Sequence, residues 1–582
     1  MKTIKLLVII LSATIFGCSE EFLDRPDLDS ISTDSFWKTP NDLNLYITQY
    51  YTVFPGWGPN QYSGGIYWED SNSDNIAPNN VNSRLAGFNT LESSNGSWSF
   101  SSVRTINIFL SKYQEVLDNG HTMDDIAQYV GEGHFFRAYF YYDLLRNYGD
   151  VPWFGASLVP SSEELYAARD PRNVVVDNIL ADLDKAIANL PSGRQSNGNR
   201  LCKEIALLFK ARVALYEGTW EKYHAGTPFT PEDSNPNKYL SIAQNTAELL
   251  INEPADFGIA NSGNPSFDYS TLFNQTDYSS NPEVLMWRNF DVSQGVAHNG
   301  QRYLPRIGGG RGLTKELLDQ YLCSDGLPIG LSPLYQGDQG LENLSTNRDP
   351  RLSETVFLPG DPMRIDATGA VTETFEKAPL GESGDTNCPT GYMIFKGSNS
   401  DIVHFQTHSG TTSSPIFRFA EVLLILAEAK AELGTITQSD VDKTINVLRD
   451  RAGMPDLNIE SITIDPNWQF PSLSPLINEI RRERHIELAA EGYRFDDILR
   501  WAAADELIVG KRLKGIFFQQ SVFPDLVVGT DVLLDADGYV DLYQMQVPNG
   551  NQFDVNRDYL LPIPQEQLTI NPNLTQNPGW NL

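Results

Sequence analysis

The sequence predicts a mainly α fold, in which tetratricopeptide-like helix pairs form a scaffold that carries long irregular loops and a few short strands. Three observations predict it. Apolar residues recur at helical spacing in successive pairs of segments, with small residues where the partners would touch. Between the helical blocks, roughly residues 264 to 414 are rich in Gly, Pro, Asn and Ser, the composition of loops rather than of helices. Cys202, Cys323 and Cys388 are too widely spaced for a disulfide framework or a C-x-x-C site, so stability must come from packing.

The chain opens on Lys2, Lys5 and an apolar run from Leu6 to Phe16, which is the pattern of an export signal and is too short to span a bilayer. Gly17 followed by Cys18 resembles the lipobox of bacterial lipoproteins. Residues 1–17 therefore read as a signal peptide, with Cys18 as the lipidated first residue of the mature chain. Ser19, Glu20 and Glu21 resemble an acidic tag that sends lipoproteins to the outer face of the outer membrane. Residues 18–582 hold no further stretch near the roughly 20 apolar residues of a membrane span. They read as one body, helical over about 36–260, with a second part over about 264–582 that includes the loop-rich insert 264–414.

The helices follow in order. "DDIAQYVGEGHFFRAYFYYDLLRNYGDVP" places Ile126, Val130, Tyr141, Leu145 and Tyr148 on one face, with enough further aromatics to bury most of its circumference. Gly149 and Pro152 end it. "NVVVDNILADLDKAIANLP" repeats the period through Ile179, Leu183, Ile187 and Leu190, after Asp170 as a cap and Pro171 as a first-turn proline. "CKEIALLFKARVALYEGTW" completes a hairpin with it. Later, "IFRFAEVLLILAEAKAELG" aligns Phe419, Leu423, Leu426 and Leu433, with Ala427, Ala429 and Ala431 at the contacts. "PLINEIRRERHIELAAEGYRFDDILRW" reads as one long helix in which Gly492 costs about 1 kcal/mol against Ala and marks a close helix contact. The closing "LPIPQEQLTINPNLTQNPGW" has prolines that exclude helix and should form an extended strap.

Composition limits the ligand. With 43 basic against 75 acidic residues the formal charge is -32, which repels phosphate backbones and excludes a nucleic-acid partner. Carboxylate pairs could be assembled anywhere from so many acids, so they do not argue for a glycosidase. His404 and His408 have zinc-helix spacing, but Phe405 stands where H-E-x-x-H needs Glu. "GGGRG" at Gly308 to Gly312 lacks the G-K-[ST] ending of a phosphate loop and reads as a mobile loop. "DADGYVD" lacks ligands of a calcium loop and reads as a hairpin turn. No catalytic residue, metal or cofactor is expected.

The polar loops are crowded with aromatics. Trp57, Tyr62, Tyr67 and Trp68 lie in "GWGPNQYSGGIYWEDSNSDN" beside Asp70 and Asp74, and Tyr278 and Tyr303 lie in the insert. Sugar rings have apolar C–H faces and hydroxyl edges, so aromatic platforms ringed by acidic and amide acceptors are the matching chemistry. Trp57, Tyr67, Trp68, Asp70, Asp74, Tyr278 and Tyr303 are the candidate ligand contacts, with Trp68 as the leading stacking face. Tyr269 and Trp287 are weighed as well, and Trp98 and Trp287 read better as core. Arg137, Asp143, Glu483, Arg484, Glu487, Glu491 and Arg494 read as ion pairs between packed helices.

"RAYFYYDLLRNYGDVPWF", "LYEGTW", "SDGLPI" with "NRDPRLSETVFLPGD", "FRFAEVLLILAEAKAELG", "INVLRDRAG", "ERHIELAAEGYRFDDILRW" and "YLLPIPQEQLTINPNLTQNPGW" resemble, in this order, the SusD/RagB family of outer-membrane nutrient-binding lipoproteins. The resemblance covers nearly the whole mature chain. It implies four tetratricopeptide-like helix pairs, loops that hold the ligand and no catalysis. It also implies a partner, a SusC-like TonB-dependent barrel transporter, to which a captured oligosaccharide or polysaccharide is passed. The expected setting is the outer membrane, through a lipid anchor, facing outward. Peptide capture by the same fold, a secreted glycoside hydrolase and a purely structural repeat protein are the alternatives.

Overall fold

The computed structural model describes residues 36–57, 65–94 and 96–580, so the expected signal peptide, Cys18 and Tyr62 lie outside the described residues. A short helix α1 (Pro40–Thr48) leads to α2 (Ser101–Asp118) and α3 (Met123–Tyr148). Thr122 and Asp125 cap α3 reciprocally, the Asp125 carboxylate accepting from the Thr122 N–H and hydroxyl at 2.8 and 2.7 Å. Gly149 ends it at φ 70°, where a side chain would be strained. Phe135, Phe136, Tyr141, Leu145 and Tyr148 are buried, because α3 has neighbours on several sides. Gly133 permits one approach: a Cβ there would lie 2.6 Å from the Phe109 ring of α2.

Next come α4 (Arg172–Asn189), α5 (Lys203–Tyr223) and α6 (Pro236–Asn252), each packed on the one before. The cap of α4 differs from the expected one. Asp150 accepts from the first helical N–H, that of Arg172, at 2.8 Å, whereas Asp170 accepts from Trp153 N–H. Arg172 crosses to α5, pairing with buried Glu217 at 2.7 Å over the face of Trp220. A Cβ at Gly218 would meet the Leu240 side chain at 2.8 Å, so α5 and α6 touch closely.

After the insert, α7 (Phe419–Leu433) packs on α6, and α8 (Gln438–Lys443), α9 (Ile445–Arg451), α10 (Pro475–Glu487) and α11 (Arg494–Arg500) follow. One apolar core runs from Trp37 on the N-terminal side through α2 to α7 and on to Ile563. The expected single helix over α10 and α11 is broken. Ala490 and Gly492 take φ 58° and 82°, and Leu488 to Tyr493 form a turn. Gly492 is therefore a turn residue, whose Cβ position lies 2.9 Å from Glu69 rather than against a helix. The closing strap also differs in part: Gln565–Ile570 is a short helix that starts after Pro564, a position where proline is tolerated. Beyond it Asn577 donates to Tyr148 O and Leu561 O at 3.0 and 2.7 Å, tying the strap to the end of α3.

Among the described residues there are three two-stranded antiparallel sheets, each with at least one strand from the insert: β1 (Ile76–Pro78) with β3 (Arg311–Leu313), β2 (Val284–Arg288) with β6 (Ser414–Arg418), and β4 (Pro362–Ile365) with β5 (Val371–Thr374). The first of these joins the early loop to the insert. Residues 535–541 close as the expected hairpin turn, the Asp535 carboxylate accepting from Asp537 and Tyr539 N–H.

Buried ion pairs bind insert to helices. Glu487 receives Arg418 at 2.7 Å, Arg451 at 2.6 Å and Arg351 at 2.9 Å, while Glu483 receives Arg351 and Arg449. Burial acts to raise the Glu487 carboxyl, but the three guanidinium groups hold it far below the usual carboxylate range. Removing one partner from such a cluster strands a buried charge, so these motif residues act as structure.

Candidate ligand-binding surface

The segment Gly65–Asn72 is a short 3-10 helix held from beneath by its own carboxylates. Asp70 accepts from Ala490 N–H at 2.8 Å and from the Asn75 amide at 2.9 Å, and burial pushes its carboxyl up to about 6 against these bonds. Asp74 grips Arg494 through two bonds of 2.7 and 2.8 Å. Burial opposes its ionisation, yet Arg494 keeps its carboxyl below the ordinary value. Both side chains are spent on the turn after α10 and have no surface to offer a sugar. The expectation that Asp70 and Asp74 accept ligand hydroxyls is therefore corrected.

Three aromatic candidates are corrected in the same way. Trp57 is 1% exposed and stacks on His298 with ring centres 4.8 Å apart and planes 8° from parallel. Tyr67 is fully buried, with its hydroxyl donating to Phe273 O at 3.0 Å. Tyr278 is fully buried edge-on to Trp287, and Tyr269 sits under the Lys396 ammonium. These rings fill the second apolar core beneath the insert because the Gly-rich loops there are pinned, not free. Backbone without side chains lets large rings pack against it: a Cβ at Gly300 would strike Trp57 at 2.2 Å, and one at Gly397 would strike Tyr67 at 2.2 Å.

Trp68 is different. It stays half-buried, and the Arg311 guanidinium carbon lies 4.6 Å from its ring centre. Arg311 opens β3 opposite Pro78, and it donates to Ser71 Oγ at 3.1 Å and Gly309 O at 3.0 Å. Burial lowers its affinity for its proton, with Asp385 and Glu69 opposing, but a guanidinium remains charged. Amides gather at the edge. Asn79 donates to Gly384 O and accepts from Asn387, each at 2.8 Å. Tyr303, also half-buried, ends the helical turn that precedes this stretch, with Arg302 over its ring.

"GGGRG" is thus no mobile loop. Gly309 lies at φ 65° with its Cβ position 2.2 Å from the Trp68 ring, Gly310 N–H donates to Asn387 O, and Gly308 backs onto the same residue. Arg311 is the residue that sequence reasoning missed. The available signal was a cation after three glycines, since glycines let backbone pass under a ring and deliver the next side chain onto it. A desolvated planar cation on an indole, flanked by carboxamides, can stack on and hydrogen-bond a polyhydroxylated ring.

Residues 272–580 match the SusD family model, and residues 21–215 match one described as starch-binding, associating with the outer membrane. The chain is 25% identical to SusD-like protein P2 of Formosa agariphila over 596 aligned residues, covering 100% of both. Its fold is similar to that of a SusD-like carbohydrate-binding protein of Bacteroides fragilis, with TM-score 0.69 and 23% identity over 93% of this chain and 100% of the other. It is also similar to a laminarin-binding SusD-like protein, with TM-score 0.57 and 17% identity over 93% and 100%. With its mainly α architecture and a family match over residues 272–580, the chain belongs to the SusD family.

Proposed function

We propose that the protein captures a neutral oligosaccharide or polysaccharide at the outer surface of the outer membrane and hands it to a SusC-like TonB-dependent transporter. The observation that carries this reading is the Trp68–Arg311 pair. Of the described aromatics between Trp57 and Asp74, Trp68 is the one that is not buried. The formal charge of -32 supports a ligand without negative charge. The structurally similar laminarin-binding protein makes β-glucans a sensible first class to try.

The anchor is Cys18 in this reading, and tethering beside the transporter raises the effective concentration of the partner, so a weak contact suffices. Binding proceeds without turnover. The test is a screen of the acyl-free protein against laminarin, starch, other neutral polysaccharides and peptides. Retention on a glycan, with unchanged chain length after incubation, supports the proposal; binding of peptides alone refutes it. In cells, Cys18→Ala should release the protein from the membrane when the transporter is deleted.

A further inference from the structure

A cleft of about 440 Å³ opens where α3 and α5 meet the turn after α10, with Phe54, Pro55, Pro415, Ile416 and Phe417 closing its sides. Its walls are aromatic: Tyr139 and Tyr142 from α3, Phe209 from α5 and Tyr493 from the turn. The volume falls within the roughly 300–1,000 Å³ of small-molecule sites. A narrower recess of about 20 Å³ shares Tyr142, Arg212, Tyr493 and Asp496 with the cleft and reaches Tyr216 and Arg484.

Two polar atoms on residues that line this recess lack a partner. Tyr216 Oη and Arg484 Nη1 are buried without a hydrogen bond among the described residues, on side chains whose residues are only 2% and 4% exposed. A buried polar atom left unpaired costs about 1–3 kcal/mol. The recess has room for one oxygen, since a water needs roughly 10–15 Å³. The cations of the cleft are already engaged, Arg146 with Asp496 at 2.5 Å and Arg212 with Glu421 at 2.6 Å. Four carboxylates, Glu69, Asp143, Glu491 and Asp496, line the cleft against these two guanidinium groups, so the local field disfavours an anion.

We propose that this cleft is a second saccharide site, which takes one neutral sugar residue or a short neutral oligosaccharide. A sugar ring lies against Tyr139 and Tyr493, the two wall tyrosines that are not buried, one hydroxyl reaches the recess to meet Tyr216 and Arg484, and Glu69 accepts hydroxyls at the rim. The proposal rests on the reading of the protein as a glycan binder, but not on the Trp68 platform.

Glucose, mannose, laminaribiose, cellobiose, maltose and glucuronic acid are the probes, followed by saturation-transfer NMR and calorimetry on the acyl-free chain. In the Trp68→Ala/Arg311→Ala variant, which removes both halves of the platform, at least one neutral probe should still bind. Ile416→Trp, which fills the mouth of the cleft, should abolish that binding. Glu69→Ala, an exposed position outside the folding network, should weaken it at least threefold with an unchanged melting temperature. Glucuronic acid should bind more weakly than glucose. Loss of all glycan binding in Trp68→Ala/Arg311→Ala, or unchanged binding in both cleft variants, overturns the second site and leaves the platform reading standing. Failure of the wild type to bind any glycan overturns both.

Discussion

Arg494 holds Asp74 through two parallel charge-assisted bonds, Nε to Oδ1 at 2.7 Å and Nη2 to Oδ2 at 2.8 Å, with both residues at most 3% exposed. The pair locks the early loop to the turn between α10 and α11, residues separated by most of the chain. Asp74→Ala would leave a buried guanidinium uncompensated. It should destabilise the protein by about 3–5 kcal/mol while leaving the glycan affinity of the folded fraction unchanged. Denaturant unfolding with parallel calorimetry decides this, and a normal transition with lost affinity would return Asp74 to the ligand site.

Trp68 and Arg311 should behave as one unit. Trp68→Ala removes a stacking face worth about 0.5–1.5 kcal/mol and should weaken glycan binding roughly threefold to tenfold with little change in melting temperature. Arg311→Ala should act in the same direction, and the double variant should lose less than the product of the two single effects, because each residue positions the other. Fully multiplicative losses in the calorimetric affinities would separate them.

Trp57 should fail the same test in the opposite way. Its ring fills the core against His298 and the backbone at Gly300, so Trp57→Ala should destabilise by about 3–5 kcal/mol. A Trp57→Ala protein that melts like the wild type would contradict the packing described above.

The helical scaffold is legible in the sequence because periodicity is a local signal: the pairing of α4 with α5 and the buried faces of α3 and α7 follow from spacing, whereas Arg494 pairs with the loop carboxylate of Asp74 and not with a neighbouring helix. The break between α10 and α11 is not legible by period, since Ala490 adopts a left-handed backbone that Asp70 stabilises from 420 residues away through a bond to its N–H. The loop aromatics mislead for a related reason. A polar, Gly-rich context usually means exposure, yet here the glycines are what allow Trp57 and Tyr67 to bury against bare backbone. Trp68 is legible as a surface ring, whereas Arg311 is not, because the β1–β3 pairing that aims it is a contact between distant segments.

His298 supplies a pH signature. Its Nδ1 accepts from Gly300 N–H at 3.0 Å and its Nε2 donates to Thr412 O at 3.0 Å, so the ring is full as the neutral tautomer and an added proton would break the Gly300 bond. Burial lowers its pKa from 6.5 to about 3; the Thr412 carbonyl acts against that shift and nearby His404 adds to it. The sign follows from proton counting. Between pH 6.5 and about 3 the unfolded chain binds a proton here that the folded chain does not, so this residue lowers stability as pH falls through that window, by up to about 1.4 kcal/mol per pH unit. His298→Asn should therefore show a shallower loss of stability than the wild type from pH 6 to pH 5, whatever its stability at neutral pH. Ring-nitrogen NMR gives the direct check: the His298 resonances should stay those of the Nε2–H tautomer from pH 8 to pH 5, and a titration near 6.5 in the folded protein would overturn the assignment.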